Sequence, residues 1–181
     1  MRIRAVVYLV LAVIIGGWVA APTAHAQSPS LRHESTFWVG GGVGLGAVPG
    51  AENADPDESR AGSLYASFQR GPHLVSARAA TAGELFGDSF YDYGLLYGRV
   101  VAQSPLFVSL GAGLGYVDGT RSEGLFDDPE EVEATVGIPV EAQLYLRPFR
   151  FFGVGLYGFA NFNQEETFFG LTVSLQAGRL R

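Results

Sequence analysis

From residue 36 onward the sequence repeats one pattern that few folds can absorb: apolar residues alternate with small or polar ones, stretch after stretch. A period of two belongs to strands whose two faces meet different surroundings. The first stretch, about 36–46, sets Phe37, Val39, Val43 and Leu45 on one face and Gly40, Gly42, Gly44 and Gly46 on the other. The second, about 62–70, opposes Leu64, Ala66 and Phe68 to Tyr65, Ser67 and Gln69. The third, about 73–82, opposes Val75, Ala77 and Ala79 to Ser76, Arg78 and Ala80. The fourth, about 89–101, opposes Tyr91, Tyr93, Leu95 and Tyr97 to Asp92, Gly94 and Gly98.

The fifth stretch carries Leu106, Val108, Leu110, Ala112, Leu114 and Tyr116 against Ser109, Gly111, Gly113 and Gly115. The sixth, about 134–146, alternates most cleanly, with Thr135, Gly137, Glu141 and Gln143 behind an apolar face. The seventh, about 151–162, is aromatic on both faces, so alternation leaves its register open. The eighth, about 167–179, sets Phe169, Leu171, Val173, Leu175 and Ala177 against Gly170, Thr172, Ser174 and Gln176. Most of these stretches match the roughly 9–11 residues of a tilted membrane-spanning strand better than the roughly 5–6 of a soluble one. An apolar face on nearly every strand, with no helical segment to cover it, also argues against a soluble β-sandwich.

The connections alternate between short and long. Arg70–Pro72, Ala102–Pro105 and Arg147–Arg150 are short, whereas Ala47–Ala61, Gly83–Asp88 and Val117–Glu133 are longer; Asn163–Glu166 takes the fourth place among the latter. Outer-membrane barrels have short periplasmic turns and longer external loops. Charge follows the same division: 15 of the 18 acidic residues fall in the four loops, with only Arg60 and Arg121 as basic companions. Arg70, Arg147, Arg150, Arg179 and Arg181 gather at the opposite end. Aromatic residues near strand ends, among them Phe37, Trp38, Tyr91, Tyr93, Phe151 and Phe168, suit interfacial girdles.

The N-terminus reads as an export signal. Arg2 and Arg4 precede an uncharged apolar run from Ala5 to Ala21, and Ala24 and Ala26 form an A-x-A cleavage site. The expected organisation is therefore a cleaved signal peptide over 1–26, a short periplasmic segment over 27–34, and a barrel domain over 35–181. The chain has no cysteine, which removes disulfides and thiolate sites. Beyond residue 26 it holds ten Arg, no Lys and 18 acidic residues, a formal charge of −8 that repels nucleic acid.

Three charges sit on the small or polar strand faces: Arg78, Asp92 and Glu141. Inside a narrow barrel they require partners, so they form a candidate lumenal charge network. Asp127, Asp128, Glu130 and Glu131, and the Asp55–Glu58 cluster, are weak Ca²⁺ candidates without EF-hand spacing; no metal and no cofactor are expected. The Gly40–Gly46 run lacks the spacing of a phosphate loop and reads as a strand face. Catalysis finds no support: His73 and Ser76, three apart on a strand, face opposite ways, and no nucleophile motif is present.

Together with segments such as Leu110-Gly111-Ala112-Gly113-Leu114-Gly115-Tyr116, this pattern resembles the small bacterial outer-membrane β-barrel proteins of the OmpX/OmpA-transmembrane-domain type. The resemblance spans about residues 34–181. It implies an all-β, eight-stranded antiparallel up-and-down transmembrane β-barrel in the outer membrane. It also implies insertion by the barrel assembly machinery, contact with outer-membrane lipid and lipopolysaccharide, and roles such as adhesion, envelope integrity or surface defence. The residues favour a non-enzymatic structural or surface-interaction role; the alternatives are a lipid-modifying enzyme on the same barrel fold and a soluble periplasmic β-barrel or sandwich that binds a small apolar ligand. Members commonly end in an aromatic residue that the assembly machinery reads; this sequence ends Gly178-Arg179-Leu180-Arg181.

Overall fold

In the computed structural model of the chain, residues 35–49, 59–84, 89–102, 105–121 and 130–180 are described. The expected signal peptide with Ala24 and Ala26, the segment 27–34, the Asp55–Glu58 cluster, and Asp127 and Asp128 lie outside them. Eight strands follow one another: β1 (Ser35–Ala47), β2 (Ser59–Arg70), β3 (His73–Glu84), β4 (Ser89–Ala102), β5 (Leu106–Arg121), β6 (Glu130–Leu146), β7 (Phe152–Phe162) and β8 (Phe168–Arg179). Each pairs antiparallel with the next, and β8 returns to β1, so the sheet closes on itself. Closure satisfies the backbone of every strand without leaving an edge, a requirement of any sheet that crosses a lipid bilayer.

Alternation sets the two surfaces. Val43, Leu64, Leu95, Leu114, Val136 and Val173 are each more than half exposed, and they recur around the whole circumference. Soluble monomers rarely expose an apolar patch larger than a few hundred Å². An apolar belt around a closed barrel is the surface that hydrocarbon wets, and it makes this a transmembrane barrel.

The inner face is small where strands crowd and large where a side chain must fill the space. On Gly113 an added Cβ would stand 2.7 Å from Leu96 Cα, and on Gly42 it would stand 2.8 Å from Ser174 Cα. Glycine there lets neighbouring strands curl tightly enough for eight to close. Other glycines make room for a large side chain of the neighbouring strand: Phe159 packs over Gly170, Asn161 over Gly137 and Tyr65 over Gly40.

Three expectations are corrected. The stretch 117–133 is not all loop, because β5 runs on to Arg121 and β6 begins at Glu130. Backbone pairing continues as far as Arg121 against Glu130, through a register shift between Val117 and Gly119. Ladder hydrogen bonds are indifferent to side-chain polarity, so they outlast the apolar alternation. Second, Trp38 and Phe168 are not girdle residues: both are fully buried in the lumen. Third, Arg147 does not belong to the basic rim, since it too is buried inside. The open register of the seventh stretch resolves with Tyr157, Phe159 and Asn161 inward and Val154, Leu156 and Phe162 outward.

Candidate functional site

The lumen is the place where chemistry-bearing side chains meet. Arg78 from β3 and Asp92 from β4 form a salt bridge with both side chains fully buried. The guanidinium Nε donates to Asp92 Oδ2 at 3.1 Å, and a terminal nitrogen donates to the same oxygen. The remaining donors cross the barrel to the carbonyls of Val140 (2.8 Å) and Ala160 (3.0 Å) on β6 and β7. The Phe159 ring lies 5.5 Å below the guanidinium carbon. Arg78 therefore ties β3 and β4 to the opposite wall. Asp92 keeps its other oxygen, Oδ1, buried without a hydrogen-bond partner, so the carboxylate depends on Arg78.

Glu141 is not bonded to that pair. It accepts hydrogen bonds from Tyr157 (2.6 Å) and from Gln143 (3.1 Å). Gln143 accepts in turn from Gln176 at 3.2 Å, and Gln176 accepts from Arg147 Nε and a terminal nitrogen at 3.1 and 3.0 Å. A single hydrogen-bonded line thus joins Glu141 to Arg147, the inward cation at the turn end. The Arg147 guanidinium lies against an edge-to-face aromatic pair, 4.4 Å from the Trp38 ring and 3.5 Å from the Phe107 ring. Such cation–π contacts strengthen when water is excluded. Around the line, Tyr65 stacks on Tyr157 with centroids 4.5 Å apart, and its hydroxyl bonds to that of Tyr145.

Both ends of this polar column are apolar. Trp38, Leu74, Phe107 and Leu180 close the turn end, and Phe90, Phe168, Ala61, Ala82 and Val117 lie toward the loop end. A side chain that water cannot reach does not line a water-filled channel, and the lumenal residues Asp92, Tyr145, Asn161 and Gln176 are all fully buried. The interior is a filled core, as expected for eight strands.

Sequence parity brought Arg78, Asp92 and Glu141 to one surface. It missed Arg147, Tyr65, Tyr157 and Gln176 as members of the network. The signal for Arg147 was present, because Glu141, Gln143, Tyr145 and Arg147 continue one parity on β6 into the turn. Of the weak Ca²⁺ candidates within the described residues, Glu130 and Glu131 open β6, opposite Arg121 and Thr120 in the strand register. His73 is exposed on the outer wall, where Nδ1 lies 2.6 Å from the Tyr97 hydroxyl, while Ser76 is buried inside. That pair does not converge on a reactive atom.

The lumen and belt define a class: small, filled, eight-stranded up-and-down transmembrane barrels. Solved structures of bacterial proteins share this fold. Neisserial surface protein A superposes with a TM-score of 0.64 at 11% identity, covering 80% of this chain and 98% of that one. The N-terminal β-barrel domain of Pseudomonas aeruginosa OprF gives 0.57 at 10% identity, covering 81% and 98%. The attachment invasion locus protein Ail of Yersinia pestis gives 0.51 at 16% identity, covering 82% and 99%. At such identities the likeness is one of fold. No protein-family model matches the sequence, and no curated protein is significantly similar to it in sequence.

Proposed function

We propose that this chain is a non-conducting, non-enzymatic barrel of the bacterial outer membrane that acts through the surface it presents at its loop end. The observation that carries the proposal is the pairing of an apolar outer belt with a lumen filled by the described side chains of all eight strands. A barrel so built neither passes solute nor holds a substrate inside, which leaves its loops and rims as the working surfaces. In this reading both termini and the three short turns face the periplasm. The acidic connections face outward, where Asp118, Glu133 and Glu165 stand exposed at their bases.

The cleaved signal at Ala24-His25-Ala26 and insertion by the assembly machinery belong to the same proposal. Their support is the basic-apolar-small order of the first 26 residues together with the transmembrane fold. Liposome swelling tests the closed lumen. Vesicles containing the purified protein should swell in arabinose no faster than protein-free vesicles. A porin-like rate would overturn the non-conducting reading.

A further inference from the structure

One sector of the outer wall differs from the rest. Arg70, His73 and Arg99 are register partners across β2, β3 and β4, and all three side chains are exposed. Strands lie about 4.8 Å apart, so the three positions span about 10 Å along the turn-end rim of the wall. Among the described residues neither Arg70 nor Arg99 is in a salt bridge, and no acidic side chain shares this rim.

Toward the middle of the wall comes the row Phe68, Val75 and Tyr97, with the Tyr97 hydroxyl bonded to His73. Beyond it the β3 face falls away to Ala77 and Ala79. These are flanked by Ala66 and Leu64 on β2 and by Leu95 and Tyr93 on β4. Two shallow, open concavities meet this sector on either side of Tyr93. One of about 300 Å³ lies over Gly62, Leu64 and Ala79. The other, of about 550 Å³, runs from Ala77 past Leu95 to Leu114, Tyr116 and Val136 on β5 and β6. From His73 to Ala79 the strand runs about 20 Å, which at barrel tilt is about 15 Å of depth, the thickness of one hydrocarbon leaflet.

We infer that the β2–β4 wall is a binding site for one anionic phospholipid of the turn-side leaflet. Its phosphate sits among Arg70, His73 and Arg99, and its acyl chains lie in the depressions over Ala77 and Ala79. Charge selects the headgroup, because guanidinium offers forked donors to phosphate and, among the described residues, the cluster has no carboxylate to neutralise it. The depressions select a lipid over a free phosphate, since they lie where only hydrocarbon reaches. Among the described side chains the loop end shows no matching cluster: Arg60 stands there with the exposed carboxylates of Asp118, Glu133 and Glu165.

The inference rests on the transmembrane reading. Native mass spectrometry of the detergent-purified barrel, with an equimolar mixture of phosphatidylglycerol and phosphatidylcholine of identical chains, tests it. The intact protein should retain one phosphatidylglycerol in strong preference. R70Q/R99Q should reduce that preference about thirtyfold, about fivefold for each guanidinium, whereas R150Q/R179Q should leave it nearly unchanged. A77F/A79F, which alters only the outer wall, should lower retention of both lipids. No headgroup preference, an equal loss in the two arginine pairs, or full retention in A77F/A79F would each overturn the site. A protein that proves soluble would defeat the transmembrane reading itself, whereas a folded barrel without preference defeats only this inference.

Discussion

The buried ions are held by geometry that a single change destroys. Removing Arg78 would leave Asp92 charged, fully buried and without its one partner among the described side chains. Breaking a buried pair in this way costs about 3–5 kcal/mol, while replacing both members by apolar side chains is often nearly neutral. R78M should therefore be strongly destabilised in urea unfolding from phospholipid vesicles, and R78M/D92L should recover most of the loss. Equal stability of R78M and the native chain would contradict the bridge. Glycine makes the second prediction at this scale. On Gly170 an added Cβ would stand 2.7 Å from a Phe159 ring carbon and 2.8 Å from Ala61 Cβ, so G170L should cost about 1–3 kcal/mol by overpacking. Parity told which residues point inward, but not which glycine faces which ring. That pairing depends on the register between strands, which no single strand encodes. For the same reason Trp38 looked like a girdle residue: its parity is inward, but the surrounding glycines hide how much room there is inside.

Each strand is legible to the extent that its two faces differ. β6 alternates apolar and polar, so which of its side chains point inward follows from the sequence. β7 carries large residues on both faces, and only its place between β6 and β8 decides that Tyr157 and Phe159 go in. The overhang of β5 and β6 was illegible because the polar residues Thr120, Arg121, Glu130 and Glu131 extend the backbone ladder past the end of the apolar alternation. The outer faces yield a test specific to a membrane. Val173 in mid-β8 is 62% exposed, a position at which a soluble protein would accept arginine with little effect. In a bilayer the same V173R should cost about 2–4 kcal/mol, read by urea unfolding from vesicles. The β2–β3 turn offers a milder case: Gly71 has a φ of 60° and open space where a Cβ would go. G71A should therefore meet no clash and lose only about 1–2 kcal/mol of backbone preference.

For the molecule as a whole, closure, belt and filled lumen are one solution to one constraint. Without cysteines or a second layer of structure, the chain satisfies its backbone by closing and its apolar face by facing lipid. The polar residues are then left to pack against each other inside. The fold was legible because that constraint is written into every strand. The activity was not, since the long connections carry charge without a pattern that chemistry demands. The most direct measurement is fractionation of expressing cells followed by electrophoresis of unheated and boiled samples. The account predicts recovery in the detergent-extracted outer-membrane fraction and a shift in mobility on boiling, as a compact barrel unfolds. Recovery in the soluble periplasmic fraction, with the same mobility before and after boiling, would contradict it.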